Sequence, residues 1–376
     1  MLRSIKDLPD LKGVTILVRC SFDVPIAQGV VTDPLRLETG LPTIEYLQHK
    51  GARVVLMGHV GRDPGNSARP VYEYLKTRIP VSFTEDIAGP RAREAVHALK
   101  DGEALVIENL RRDGGEKGND DTFARNLAAL GDIYVNDAFT NAHRKHASMV
   151  GVPKYIPGYA GLQFMAEVEG LTPALSPESP SLAVIGGAKF ETKAALVHTL
   201  LDKYDKLFIG GAIVNDFFKA KGLEVGKSLV SDPERVRPLL GNSKIILATD
   251  VVVENPNGIE TKAVEDVTEN DFIYDIGPAS IEALRPVIEK SRTVLWNGPM
   301  GNFEKGFKQQ TDELAKLISQ SSGKTIVGGG DTLASIQSLG LMNRYSFVST
   351  AGGAMLDFLA NGTLPGIDAL ENSRSL

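Results

Sequence analysis

The second half of this 376-residue chain repeats one device, a short β-type run that breaks straight into glycines. It occurs at Ala183–Lys189 (AVIGGAK), Leu207–Ala212 (LFIGGA), Val294–Gly301 (VLWNGPMG), Thr325–Asp331 (TIVGGGD) and Phe347–Gly353 (FVSTAGG). A buried strand ending in glycines lets backbone N–H groups approach a ligand closely. When a helix follows, those groups sit at its positive end, a ready site for phosphate. One copy would indicate only a turn; recurrence in one half points to a nucleotide-type ligand.

In the first half the strand-like runs lead into cations instead. Val54–Met57 leads to His59 and Arg62, Ala104–Ile107 to Arg111 and Arg112, and Ile133–Val135, through Asp137, to His143, Arg144 and His146. Val14–Val18 leads to Arg19, with Arg36 on the next loop. Parallel α/β sheets bind ligands at the carboxyl ends of their strands, so these cations are expected to converge on one edge. Guanidinium groups pair bidentately with carboxylate and phosphate, so the expected ligand is a small, multiply charged anion.

Composition narrows the classes. The net charge is −6, and acidic and basic residues nearly balance in the first half, so no general nucleic-acid surface is expected. The glycine content, 38 residues, exceeds the usual ~7% and collects in the strand-end loops. The single cysteine, Cys20, excludes an intrachain disulfide and a cysteine-based metal cluster. No apolar run approaches the ~18 residues that span a bilayer, and no leader pattern opens the chain. A cytoplasmic monomer without nucleic-acid or membrane partners is expected.

Strand-like runs alternate with helical patterns, such as Leu41–Lys50, Thr192–Asp202 and Thr311–Gln320, which argues for βαβ units. The proline-rich stretch LTPALSPESPS follows a helical pattern at Phe164–Leu171 and marks a boundary near residue 172. The predicted fold class is α/β: two Rossmann-like parallel-sheet domains joined by a connector helix and hinge. Residues 1–171 form one domain and 172–360 the other, and the tail, 361–376, packs on one of them.

Each motif has a plainer alternative. Gly226-Lys227-Ser228 fails as a P-loop, because only three residues separate Gly222 from Gly226. Lys189 and Lys193 have the i, i+4 spacing of one helix face; two ammonium groups at a helix start suit an anion, and otherwise are a surface pair. Asp331 could cap a helix or hold Mg²⁺ on a nucleotide. Asn297 is a turn residue or a polar contact, and Glu304 a plain surface charge unless a ligand meets it. His143 and His146 have no third ligand near in sequence, which disfavours zinc.

Taken together, RCSFDVP, LMGHVGR, IENLRR, YVNDAFTNAHRKHAS, IGGAKFETK, DIGP, VLWNGPMGNFE, IVGGGDT and STAGGAMLDFL, in this order, resemble phosphoglycerate kinases over nearly the whole chain. The resemblance implies a kinase that moves a phosphoryl group reversibly between 1,3-bisphosphoglycerate and ADP, with Mg²⁺ and a closing hinge. It implies a substrate set of Ser21, Asp23, Arg36, His59, Arg62, Arg111 and Arg144 in the N-terminal domain. The implied nucleotide set is Lys189, Lys193, Gly211, Asn297, Glu304, Gly329, Gly330, Asp331 and Thr332, with Asp331 on the metal. Backbone N–H groups of Gly352 and Gly353 would stabilise the transferring anion, and Arg36, Lys189 and Lys193 would be catalytic. The family's C-terminal segment packs back on its N-terminal domain, which gives the tail its place.

Two departures stand out. The family pattern RxDFNVP reads here Arg19-Cys20-Ser21-Phe22-Asp23-Val24-Pro25, so the carboxylate has moved two residues. Positions 21 and 23 would share one face of a strand, and Asp23 would retain the charge at a shifted place. Ala351 replaces the first glycine of TGGGA, where a positive φ would be disfavoured. The rival readings are a non-catalytic descendant that kept the fold and a nucleotide-dependent dehydrogenase; the missing GxGxxG speaks against the latter.

Overall fold

The computed structural model describes residues 2–374. Its first strands are β1 (Thr15–Arg19), β2 (Ile26–Ala27), β3 (Val30–Val31), β4 (Arg53–Met57), β5 (Val81–Phe83), β6 (Ala104–Val106), β7 (Ile133–Asn136) and β8 (Gly158–Ala160). They form a six-stranded parallel sheet in the order β5-β6-β4-β1-β7-β8, with β2 and β3 as a separate hairpin. The later strands are β9 (Ser181–Ile185), β10 (Lys206–Ile209), β11 (Ile245–Leu247), β12 (Asp250–Asn255), β13 (Gly258–Ala263), β14 (Phe272–Ile276), β15 (Thr293–Asn297), β16 (Lys324–Gly328) and β17 (Phe347–Ser349). Six make a second parallel sheet, β11-β10-β9-β15-β16-β17, and β13-β12-β14 a small antiparallel one.

The sequence accounts for the layering. β1, β9 and β15 are buried at every residue, which is why TILVR, SLAVI and TVLWN do not alternate: helices cover both faces of a parallel sheet. The helix Leu35–His49 buries Leu37, Leu41, Ile44 and Leu47 at helical spacing. These side chains join Ile16, Val18, Val54, Leu56, Val106 and Val135 of the sheet in one core. The helices Ala194–Lys203 and Gln309–Ser319 start and stop within two residues of their sequence patterns.

The chain divides into two compact units. One comprises the residues up to Val168 together with those from Thr363 onward, and the other is Glu169–Gly362. The division falls inside the helix Leu162–Leu175. In the first unit the C-terminal helix Pro365–Glu371 buries Ile367 and Leu370, Gly366 N–H donates to the Ala142 carbonyl at 2.8 Å, and Arg3 donates to the Ser373 carbonyl at 3.1 Å. Among the described residues no helix is long and apolar enough to cross a membrane.

Each sheet reverses its strand order beside a central strand. From β1 the chain builds β4, β5 and β6 on one side, then crosses to β7 and β8; from β9 it builds β10 and β11, then crosses to β15, β16 and β17. The carboxyl ends of β1 with β7, and of β9 with β15, are therefore the crevices where such sheets take ligands.

Candidate functional site

β1 ends in Arg19, whose side chain is fully buried. Its Nε donates to Ser148 Oγ at 2.9 Å, Nη1 to the Cys20 carbonyl, and Nη2 to His59 Nδ1 at 2.8 Å. Ser148 donates onward to the buried Glu116 at 2.6 Å, so the Arg19 charge is balanced inside the unit. A guanidinium only donates, so His59 Nδ1 must accept and the ring proton lies on Nε2. That atom is buried without a hydrogen-bond acceptor, 3.6 Å from Asp23 Oδ2. Burial, with the Arg19 and Arg111 charges opposing Asp23, lowers His59 to about 4.

Asp23 Oδ1 takes the Gly61 N–H at 3.0 Å, and its carbonyl takes Arg36 Nη1 at 2.6 Å. The His59 contact, and then Gly61 and Arg36, hold its carboxyl well below the carboxylate range despite burial. Arg111 is 5% exposed. It donates to the Gly61 carbonyl, its Nε has no acceptor, and burial and the Arg144 charge lower its pKa. Arg144 and Arg36 are half-buried and Arg62 is exposed. Arg112 is used elsewhere, paired with buried Glu108 at 2.9 Å. The edge of the first sheet thus gathers Arg19, His59, Arg111, Arg36 and Asp23, and of these His59 Nε2 and Arg111 Nε are buried donors without a hydrogen-bond partner among the described residues.

The structure corrects the reading of Ser21 and Asp23 as neighbours on a strand face. β1 stops at Arg19, and two tight turns follow, with Phe22 N–H donating to Cys20 O at 3.2 Å and Val24 N–H to Phe22 O at 2.9 Å. Strand alternation does not apply there. Ser21 Oγ pairs with Thr140 Oγ1 at 2.8 Å, whereas Asp23 turns to Gly61 and His59. Among the described residues no three His, Cys, Asp or Glu side chains are placed to hold a metal.

In the second unit the glycine turns border a cavity of about 270 Å³. Gly187, Gly211 and Pro299 lie at strand ends, Glu304 and Asp331 supply carboxylates, and Leu229, Phe272, Tyr274 and Met300 supply apolar walls. Close approach accounts for the glycines. At Gly211 φ is +61°, and a Cβ would stand 2.4 Å from Gly187 N. At Gly298 φ is +98°, and a Cβ would stand 2.7 Å from Lys193 Nζ.

Lys193 lies beneath this cavity. Its Nζ donates to Gly186 O at 2.6 Å, Asn297 O at 3.2 Å and Asn297 Oδ1 at 2.7 Å. It therefore ties the end of β9 to the end of β15 at the point where the strand order reverses, and burial lowers its pKa to about 8. Asn297 is buried and bridges on to Gly328 O at 3.0 Å. The i, i+4 pairing of Lys189 and Lys193 on one helix face is not found. A short 3₁₀ turn, Phe190–Thr192, separates them, and the α-helix begins only at Ala194. Lys189 stays exposed, next to Ala188 of the cavity wall.

Asp331 sits in the first turn of the helix Gly330–Ser338, which has no side-chain cap, so it is not a capping residue. Gly329, at φ +112°, occupies the N-cap position, and the buried Thr332 hydroxyl accepts Gly298 N–H at 3.1 Å. Gly352, at φ +53°, leads into the helix that starts at Gly353. Ala351 is not among the positive-φ residues, so its replacement of glycine carries no backbone strain. Sequence reasoning missed the aromatic wall and Asp275, which also lines the cavity, because β14 contributes residues of the strand itself and not the Gly277 turn that follows it.

Comparison with known proteins agrees with this arrangement. A family model described as phosphoglycerate kinase matches residues 5–362. A phosphoglycerate kinase of Coprothermobacter proteolyticus is 41% identical, covering 98% of each chain, and one of Maricaulis maris is 42% identical, covering 100% of this chain and 99% of that one. Among solved structures, the phosphoglycerate kinase of Coxiella burnetii superposes with a TM-score of 0.87 at 35% identity over the full length of both chains, and that of Pyrococcus horikoshii with 0.87 at 31% over 99% and 98%. Matched by the family model over residues 5–362 and by relatives over nearly the full length of both chains, this chain belongs to the phosphoglycerate kinase family.

Proposed function

We propose the following division of roles for the family's reaction, the reversible phosphoryl transfer from 1,3-bisphosphoglycerate to ADP that gives 3-phosphoglycerate and ATP. The first unit holds the glycerate substrate through Arg36, His59, Arg62, Arg111 and Arg144, with Ser21 and Asp23 facing its hydroxyl. The second holds the nucleotide in the cavity of Gly211, Glu304 and Asp331. The observation that carries this reading is the pair of buried donors without acceptors, His59 Nε2 and Arg111 Nε. Leaving them unpaired is costly, and an anionic ligand relieves both.

The ADP phosphate that accepts the group, and the carboxylate that leaves or, in reverse, attacks, are both ionised near neutral pH, so transfer in either direction needs no general base, in keeping with a site rich in Arg and Lys. Catalysis then rests on alignment and on charge set against the transferring oxygens. Lys189 and Arg36 supply that charge directly. Lys193 supplies it from beneath and fixes the strand-end loops, and the Gly352 and Gly353 N–H groups add donors. Asp331 is exposed and makes no hydrogen bond or ion pair among the described residues, which fits a metal that takes one or two carboxylates and fills its other positions from phosphate and water. Bound there, Mg²⁺ would neutralise phosphate charge. Because the two sets of residues belong to different units, transfer requires the units to meet and exclude water during turnover. Both sites are complete within one chain, which supports a monomer, and the lone buried cysteine supports a cytoplasmic setting.

A coupled assay with ADP and 1,3-bisphosphoglycerate tests the reaction, and calorimetry on Arg111→Ala tests the site. The variant should lose at least about tenfold in 3-phosphoglycerate affinity and keep its ADP affinity. Intact 3-phosphoglycerate binding would move the substrate away from this edge.

A further inference from the structure

We propose that Asp275 is a positioning residue of the nucleotide cavity: ionised, it fixes the loop that carries Glu304, and protonated it releases that loop, so ADP affinity falls as Asp275 takes up a proton. This rests on the reading of the cavity as the nucleotide site.

Asp275 is 3% exposed and is one of the residues that line the cavity. Oδ1 accepts the Ile276 N–H at 2.9 Å, and Oδ2 accepts the Gln310 N–H at 3.2 Å. Gln310 lies in the first turn of the helix Gln309–Ser319, where Lys308 at the N-cap offers no side-chain cap. The carboxylate supplies that cap from β14. The same strand anchors the other end of the loop, where Asn302 N–H donates to the Tyr274 carbonyl at 2.6 Å. Phe303, Glu304 and Phe307 lie between the two anchors, in a loop that is also held by the Phe307 N–H bond to the Asn302 carbonyl at 3.0 Å and by Phe307 packing on Tyr274, ring centroids 4.7 Å apart. Gly301 packs so tightly that a Cβ there would stand 2.5 Å from Asp275 Cγ.

The charged surroundings leave the group poised. Asp312, on the capped helix and hydrogen-bonded to Ser335, repels it. Glu304 and Asp331 line the same cavity, and the Lys305 ammonium is taken by the Tyr274 hydroxyl at 2.6 Å. No cation pairs with Asp275 among the described residues. Burial, with Asp312 adding to it against the two N–H bonds, raises its pKa to about 7. A protonated carboxyl turns one oxygen from acceptor to donor, which sets a donor against one of those N–H groups.

The test is equilibrium dialysis of ADP with Mg²⁺ at about pH 6 and about pH 8 on the parent and on Asp275→Asn, which keeps the shape but offers a single acceptor oxygen. The parent should bind roughly three- to tenfold tighter at the higher pH, and the difference should close at the lower one. Titration of ADP itself is common to both proteins and cancels in the ratio. Affinity for 3-phosphoglycerate should match at each pH. Asp312→Asn removes the repelling charge and should move the fall in ADP affinity to lower pH, which keeps the proposal testable if the first variant folds poorly. A parent-to-variant ratio that is the same at both pH values, or an unmoved fall in Asp312→Asn, overturns the role of Asp275. If ADP binding instead ignores both Glu304→Ala and Asp331→Ala, the nucleotide lies elsewhere and the underlying site reading is what fails.

Discussion

His59 is buried and His146 partly buried beside arginines, and their ionisation carries a pH cost of definite sign. Burial and neighbouring positive charge push both down to about 4, against about 6.5 in the unfolded chain. The unfolded chain therefore takes up protons first, and the first unit loses stability as the pH falls from 6.5 towards 4, by up to about 3 kcal/mol for His59 and by less for His146, where solvent screens the charge. Asp137, raised to about 6 by burial, acts in the opposite direction, so the variants must be compared with the parent. His59→Gln should lose less stability than the parent between neutral pH and about pH 4.5 in denaturant titrations; parallel losses would show that His59 is not neutral in the fold. The lysines divide in a similar way. Lys193→Met strands three buried oxygens and should cost the second unit about 2–4 kcal/mol as well as activity. Lys189→Met removes an exposed, unpaired charge, so it should leave the melting temperature nearly unchanged while lowering kcat. Equal destabilisation by both would contradict the partners seen for Lys193. That Lys189 and Lys193 stand where a strand gives way to a helix was legible from IGGAK and the lysine beyond it; that one is buried and the other exposed was not, since it follows from a 3₁₀ turn that spacing does not reveal.

At the scale of elements, the strand-end turns are where a single methyl group is decisive. Gly211→Ala would force a left-handed φ and place a Cβ 2.4 Å from Gly187 N. The expected cost is about 2–4 kcal/mol with loss of ADP binding, and 3-phosphoglycerate binding should persist because the first unit is untouched. Gly330→Ala is the contrast, since its Cβ would meet nothing within 4 Å and the residue is helical; both ligands should still bind. Equal effects from the two substitutions, read by calorimetry, would show that close backbone approach is not what selects glycine here. The strands and their terminal glycines could be read directly, because a strand buried on both faces is a short continuous apolar run and the glycines mark where it stops. The β12–β14 sheet could not, because its antiparallel strands face partly to solvent and so form no continuous apolar run.

For the whole molecule, two units with separate cores should respond separately to their ligands. Hydrogen exchange with 3-phosphoglycerate alone should slow amides around Arg19, Gly61 and Arg111, and exchange with MgADP alone should slow those around Gly211, Glu304 and Asp331, by at least about tenfold at saturating ligand. Protection of the first set by MgADP alone would place both ligands in one unit and refute the division of roles.

The sequence by itself determined the fold class, the two parallel sheets, the strand-end position of the glycine turns and the family. Each of these depends on local periodicity, on glycine at a turn or on a run of motifs, and such information is written in neighbouring residues. Only the tertiary structure decided which charges are available for chemistry. Arg19 reaches Glu116, nearly a hundred residues away in the chain, through Ser148, Arg112 pairs with Glu108, Lys193 is held by the neutral oxygens of Gly186 and Asn297, and Asp23 leaves the strand that its spacing implied. An ionisable group takes its protonation state and its reach from burial and from partners that the sheet order brings beside it, and that order is settled by packing the whole chain.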